Sequence, residues 1–328
     1  MKKLLLFVLS LIVGLGMVFW VLQMVSPEEF KKDLEVFKGS DGLIILVLSF
    51  LTIFMGAWRW KEILKGIGED LPFRKMVSPF LAGFSVMFLA PVLVWGGEAL
   101  RAYILKKRDN IPWSKGMASV IIDRILEWTA NLAVIFLGGI VFIFLNGFPL
   151  NNLIWVILGA FLVLAAFLIY FFVKCYKRES IVSIFFKKRN LWNVEKEIFK
   201  FFKEDKLAVW KAVFLSFLRA AVMYARVWFL IAFLGKSIGA LSALAILGFS
   251  YLAVMVPIPT ALGTHEAIQS FAFNSMGLGI SSAAAFTMII RAADLMVSFI
   301  GIIFLFRFGI VMIKDKILNK IDNLTDED

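Results

Sequence analysis

Eight charged side chains stand inside long apolar runs of this 328-residue chain: the acids Asp123, Glu127, Glu266 and Asp294, and the arginines Arg124, Arg219, Arg226 and Arg291. At the centre of a bilayer an unpaired charge costs about 2.5–3.5 kcal/mol even on the lenient insertion scale. These groups must therefore face inward and pair, or line water. Arg124 and Glu127 stand i,i+3, as do Arg291 and Asp294, so each couple can pair on one helix face. Arg219 and Arg226, seven residues apart, have no carboxylate in their own run. They are placed to meet Glu266, Asp294 or an anionic substrate. A guanidinium suits phosphate because its planar fork donates two hydrogen bonds. The bland reading of such pairs is glue between helices. Buried ionic groups stabilise poorly, however, so functional sites favour the same places.

The second chemical element is Val256-Pro-Ile-Pro-Thr-Ala-Leu-Gly-Thr-His-Glu-Ala267. Proline removes a backbone donor and clashes with the preceding turn, so a helix along 241–256 should end near Pro257. Thr264 is the expected N-cap of a new helix starting at His265 and Glu266. Inside a membrane, broken backbone survives only where protein or a water-filled cavity satisfies it. Glu266 then sits at a half-helix start, where the dipole favours a carboxylate or a phosphate. A phosphate there would compete with the carboxylates for Arg219, Arg226 and Arg291, and protonation of Glu266 would release an arginine to it. His265, the only histidine of the chain, reads first as a hydrogen-bonded structural residue and second as a proton carrier.

The elements that must position these groups repeat. An offset of 167 or 168 positions brings Glu266 onto Glu98, Pro259 onto Pro91, Arg291 onto Arg124, Asp294 onto Glu127 and Arg226 onto Arg59. Charged matches inside apolar runs carry more weight than apolar ones, and they indicate an internal repeat.

Composition sets the solvent. The chain is 61% hydrophobic, 15% aromatic and 18% charged, with mean hydropathy +0.88. A soluble domain is nearer half apolar with about a quarter charged. The expected class is an all-α polytopic protein of the cell membrane. The net charge of +11 then reports topology and contact with anionic headgroups rather than nucleic acid. One cysteine, Cys175, excludes an intrachain disulfide and any multi-cysteine metal motif. No cofactor is expected.

Residues 4–25 are too long an apolar run for a signal peptide, whose core is about 7–15 residues, and are expected to be the first span. Spans follow at 42–58, 117–145, 153–173, 212–234 and 283–306. Residues 80–94, flanked by basic clusters on both sides, are too short to cross. They read as a re-entrant hairpin from the cytoplasmic side, and 241–276 as one from outside. The 35 Lys and Arg fall mostly in the N-terminus, 59–79, 96–116, 174–211 and 307–328, which the positive-inside rule places in the cytoplasm with both termini. About six full spans and two broken-helix hairpins thus form an inverted-topology repeat, an architecture of secondary transporters. Residues 1–150 are its first half and 151–328 its second. Within the cytoplasmic linker 174–211, Leu191, Val194, Ile198, Phe201 and Phe202 recur at helical spacing, with Lys196, Lys200 and Lys203 between them. Either an amphipathic helix in the interface or a solvated loop helix fits that pattern.

Trp95-Gly-Gly-Glu-Ala-Leu-Arg101 resembles the GE-x-x-R element of the lysylphosphatidylglycerol synthase transmembrane, or flippase-like, family. Pro257-Ile-Pro-Thr-Ala-Leu-Gly-Thr-His-Glu266 is similar to that family's Pro- and Gly-rich element ending in Glu, and Arg291 to the arginine of its last span. The chain departs from the family at Thr260-Ala261, where a Gly pair is common. The resemblance covers nearly the whole chain. It implies a translocase for a lipid or lipid-linked glycan, here a stand-alone member without the soluble aminoacyl-transferase domain.

The expected function is therefore flipping an anionic lipid, a phospholipid or polyprenyl phosphate, between leaflets. The site set is Glu98, Arg101, Arg124, Glu127, Arg219, Arg226, His265, Glu266, Arg291 and Asp294. The partner is a membrane lipid, not nucleic acid, and a homo-oligomer is compatible with this arrangement. The alternative is a membrane-embedded transferase acting on a lipid phosphate. Such an enzyme usually places carboxylates on a substantial extramembrane loop. No Ser-His-Asp set, nucleotide loop or metal-ligand cluster is visible, and no catalytic residue is expected. A scaffold for a partner enzyme, the third class, would not need paired charges in both breaks.

Overall fold

The computed structural model describes residues 35, 39–89, 96–147, 152–177, 179–180, 189–255 and 263–325. Regular structure among them is helical throughout: α1 Ser40–Gly66, α2 Phe73–Leu89, α3 Gly96–Asp109, α4 Trp113–Asn146, α5 Asn152–Lys177, α6 Arg189–Glu204, α7 Lys206–Phe233, α8 Ala240–Met255, α9 Thr264–Ser275 and α10 Ile280–Thr325. The expected first span and the two proline-bearing tips, 90–95 and 256–262, lie outside the described residues. Among the described helices α1, α4, α7 and residues Ile280–Gly309 of α10 are long and apolar enough to cross a membrane. The chain is an all-helical polytopic membrane protein.

Helix lengths follow from apolar runs without internal breakers. At about 1.5 Å per residue α4 extends about 50 Å, well beyond the roughly 30 Å of hydrocarbon. Its outward face stays apolar, with Phe144 82% exposed and Phe136 55% exposed, as a lipid-facing surface requires. Two expected boundaries need correction. The second span was expected to end at Trp58, leaving Arg59 in a basic cytoplasmic segment. Instead α1 continues to Gly66 and Arg59 is 1% exposed inside the bundle. The residues that follow, Trp60, Ile63 and Leu64, are apolar, face the core and carry the helix on. The first hairpin was expected to open at Phe80, but α2 begins at Phe73 and takes Pro79 within it.

Helices in lipid gain little from burying apolar surface against one another, so close packing decides their contacts. α1 lies along α7, α4 along α8, and α10 along α2. Gly138 and Gly248 let α4 and α8 touch backbone to backbone: a Cβ on Gly138 would stand 2.8 Å from the Leu244 carbonyl oxygen. Gly301 plays that part between α10 and α2, where Ser85 also donates to the Ser298 carbonyl at 2.7 Å. Smaller contacts join α2 to α3 and α3 to α4, and likewise α8 to α9 and α9 to α10.

The helix expected in the linker is α6. Its apolar stripe is covered by protein: Val194, Ile198 and Phe201 are buried in one cluster with Ile63, Ile122, Phe171 and Ala212. The interfacial option, in which that stripe would enter lipid, does not hold for those three side chains. Trp192 and Lys196, Lys200 and Lys203 stay exposed on the other side.

Candidate functional site

The charges at depth are gathered into two clusters, and the larger is organised by α4. Arg59 reaches in from α1. It donates Nε to Asp123 Oδ1 at 2.6 Å, Nη2 to Glu127 Oε2 at 3.1 Å and Nη1 to the Ser216 hydroxyl at 3.3 Å. Asp123 takes a second guanidinium on its other oxygen, Arg101 Nη1 at 3.0 Å. Glu127 takes three: Arg59, then Arg219 from α7 at 2.5 Å, then Arg124 at 3.6 Å one turn along its own helix. Arg124 also pairs with Glu98 in the first turn of α3.

Arg101 is held differently. Its guanidinium stacks 4.1 Å from the Trp60 ring centre and 4.5 Å from that of Phe80. The weak hydration of a guanidinium and its attraction to ring faces make this a tolerable place for a cation with few hydrogen bonds. Arg101 Nε and Nη2 have no acceptor among the described residues, nor has Arg219 Nε, and Glu98 Oε2 has no donor. All three residues line one cleft between α2, α3, α4 and α7, with Phe84, Met87, Arg124 and Glu127 among its other walls. The cleft encloses about 330 Å³ including its open mouth. Between its side chains there is room for little more than a water molecule.

The smaller cluster belongs to α7, α9 and α10. Arg226 Nη2 pairs with Asp294 Oδ1 at 2.9 Å and donates to the Ile290 carbonyl at 3.1 Å. Arg291 Nη2 pairs with Glu266 Oε2 at 3.1 Å, and that same oxygen accepts the Gly263 N–H at 2.8 Å. Glu266 thus closes the start of α9, three residues after Gly263, whose φ of 78° suits a residue without a Cβ. Gly263 rather than Thr264 is the N-cap. Thr264 is instead the first residue of the helix, with its hydroxyl 3.4 Å from the Ala253 carbonyl. The expected local pair of Arg291 with Asp294 does not form either, because each finds a partner on a neighbouring helix. The local pair Arg124–Glu127 does form.

The two clusters adjoin through Arg219. It is bonded to Glu127 and stands close enough to Asp294 for their charges to interact. Tyr251 is buried beside both, within reach of the charges of Arg219, Glu127, Arg226 and Arg59. His265 is half-buried near Arg291 and Arg226.

Nine of the ten expected site residues are thus engaged in these clusters, with His265 at the edge. Arg59, Asp123 and Tyr251 belong with them but are missing from the expected set. The offset match of Arg59 to Arg226 was the available signal for the first. Asp123 was visible as a charge inside a span. Tyr251, in an apolar run, offered none.

Comparison with known proteins agrees with this architecture. Residues 7–301 match the model of the family described as the lysylphosphatidylglycerol synthase TM region. A UPF0104 membrane protein of Methanocaldococcus jannaschii is 26% identical over 294 residues, covering 85% of this chain and 86% of that protein. A UPF0104 membrane protein of Methanothermobacter thermautotrophicus is 24% identical, covering 95% and 98%. The glycosyltransferase AglD of Haloferax volcanii is 32% identical over 105 residues, 29% of this chain but only 16% of that protein. No solved structure matches. With its apolar helices, its charges paired at depth and a family match over nearly its whole length, the chain belongs to the lysylphosphatidylglycerol synthase TM region family.

Proposed function

We propose that this protein moves a lipid with an anionic headgroup from one membrane leaflet to the other, by way of the two charged clusters, without catalysing a chemical reaction. The observation that carries this is the repetition of ion pairs across the two halves. Under the offset of 167 or 168, the pair Arg124–Glu98 maps onto Arg291–Glu266, and Arg59–Glu127 onto Arg226–Asp294. The helix contacts map in the same way. The α2–α3 and α3–α4 contacts become α8–α9 and α9–α10, while the α4–α8 and α10–α2 contacts exchange with each other. An inverted repeat, 1–150 against 151–328, accounts for this exchange, with α2–α3 a hairpin entering from the cytoplasm and α8–α9 one entering from outside. Both termini are then cytoplasmic. Carboxylates held at the starts of α3 and α9 against arginine forks give an anionic headgroup donors to compete for along its path.

Flux of a labelled anionic phospholipid into proteoliposomes of pure protein tests the function. Accelerated exchange between leaflets is expected, and exchange no faster than in empty vesicles would reject it. In a Cys175→Ala background, a cysteine at Asp109 should label from the cytoplasmic side and one at Gly279 from outside. External labelling at Asp109 would remove the first hairpin. A transferase reading draws on the similarity to a stretch of a glycosyltransferase. Transfer of sugar to a lipid phosphate by the same proteoliposomes would favour it over translocation.

A further inference from the structure

The two half-sites are alike in their ion pairs and in the helices that carry them, and unlike in net charge and in several of the residues beside the pairs. In the first, four guanidiniums (Arg59, Arg101, Arg124, Arg219) face three carboxylates (Glu98, Asp123, Glu127), leaving one positive charge uncompensated. In the second, Arg226 and Arg291 face Glu266 and Asp294, and the charges cancel. The difference arises at named positions. Under the repeat offset Arg101 corresponds to Gln269, Asp123 to Ile290 and Arg219 to Thr52. In the register that pairs Arg101 with Gln269, Gly83 corresponds to Tyr251, the neighbour of Ser250.

Those exchanges alter the space as well as the charge. Gly83 lies against the Arg101 stem, where a Cβ would stand 2.7 Å from Arg101 Cγ. The missing side chain is what lets Arg101 reach into the cleft. Beside the corresponding place the Ser250 hydroxyl accepts the Gln269 Nε2–H at 2.6 Å, with Gln269 wholly buried. A charged donor group in one half is replaced in the other by a neutral amide whose Nε2–H is bonded, although Gln269 Oε1 finds no donor and Arg226 Nε no acceptor among the described residues.

We infer that, of the two half-sites, only the first is an anion-binding site. In it a single phosphate-type oxyanion takes the free Arg101 and Arg219 donors and displaces Glu127 from Arg219, whereas the second half is closed by the Gln269–Ser250 bond and serves as a charge-neutral counterpart. This rests on the translocase proposal for its biological meaning but not for its chemistry. Arg101 Nε, Arg101 Nη2 and Arg219 Nε are three buried N–H donors on one cleft without acceptors among the described residues. Such groups are expensive to leave unbonded. An oxyanion satisfies them and supplies the one negative charge the cluster lacks. Because the cleft now holds little more than a water, entry requires α2 and α3 to part from α4, or Glu127 to yield its place.

Binding and flux should be read separately. In detergent, native mass spectrometry would compare retention of phosphatidic acid and of dioleoylglycerol, with inorganic phosphate as competitor. The wild-type protein is expected to retain phosphatidic acid at least tenfold better. Arg101→Gln, which copies the residue at 269, should lose that preference, and Gln269→Leu should keep it within twofold. Since Arg101 also holds Asp123, Arg101→Lys guards against misfolding. It keeps a cation there but removes the planar fork, and should weaken retention about tenfold with the melting temperature preserved. Displacement of the lipid by millimolar phosphate would identify the site as reading a free anion, and failure to displace it would identify a lipid headgroup site. Either result supports the anion site. Equal retention of the two lipids by the wild type, or equal losses in Arg101→Gln and Gln269→Leu, would overturn it. Lipid retention that depends on Arg101 without any flux would instead reject translocation and leave the site standing.

Discussion

Replacing Arg59 by alanine is expected to lower stability more than removing any other single charge of the protein. Arg59 is 1% exposed and donates to Asp123, Glu127 and Ser216 on two different helices. Its loss leaves two carboxylates with their compensation reduced in a medium that solvates neither. Breaking a buried pair by removing one partner costs about 3–5 kcal/mol. For a protein of this size that corresponds to a fall in melting temperature on the order of 10 °C. Arg59→Lys should recover part of this. An ammonium keeps the charge, but it lacks the fixed fork that spans both carboxylates and the hydroxyl. Fluorescence-detected size exclusion after a heating series measures the shift. A melting temperature within 2 °C of wild type in Arg59→Ala would mean that Arg101, Arg124 and Arg219 suffice to hold Asp123 and Glu127. The cluster would then be a network with spare cations rather than one centred on α1.

What could be read from the sequence was governed by the kind of signal each residue carries. Charges inside apolar runs are expensive, so Arg124, Glu127, Arg219, Arg226, Arg291 and Asp294 declared themselves, and the clusters contain them all. Partner choice was less legible. Local spacing suggested Arg291 with Asp294, yet Arg291 pairs with Glu266 and Asp294 with Arg226. An i,i+3 pair gains only a few tenths of a kcal/mol, so helix packing readily overrides it. Arg59 was hidden by position. It ends an apolar run and precedes Lys61, Glu62 and Lys65, so charge density marked it as loop although its helix continues two turns further. The fate of the α6 stripe was equally hidden. Amphipathic periodicity fixes that an apolar face exists, not whether lipid or protein covers it. The first span and the tips at 90–95 and 256–262, which the sequence marked most strongly as breaks, lie outside the described residues.

The largest effect on transport is expected at Arg291. Arg291→Ala should cut flux at least tenfold while folded protein falls less than twofold. The asymmetry follows from what remains. Arg291 has a side chain 20% exposed, so it is not sealed in the core as Arg59 is. Glu266 also keeps the Gly263 N–H and its place in the first turn of α9, where the helix dipole still favours a negative charge. The structural loss is therefore modest, whereas the second half-site loses the charge balance it keeps at the break and is left with an uncompensated Glu266 in the path of an anionic headgroup. Charge exchange separates glue from site, and the geometry says which exchange to make. Arg291→Glu with Glu266→Arg restores the observed pair, but moves the cation to a helix start that disfavours it. Abundance is expected to recover and flux is not. Arg291→Asp with Asp294→Arg should do worse than either single change, because it sets a second cation against Arg226, the true partner of Asp294. Glu266→Gln completes the set as a mimic of the protonated acid. Its amide oxygen can still accept from Gly263 while Arg291 is released from its counter-charge. Lipid retention should persist, and any dependence of flux on a proton gradient should disappear. If Glu266→Gln moves lipid at an unaltered rate with unaltered gradient dependence, Glu266 is a helix cap alone and the Arg291–Glu266 pair takes no part in how the lipid crosses.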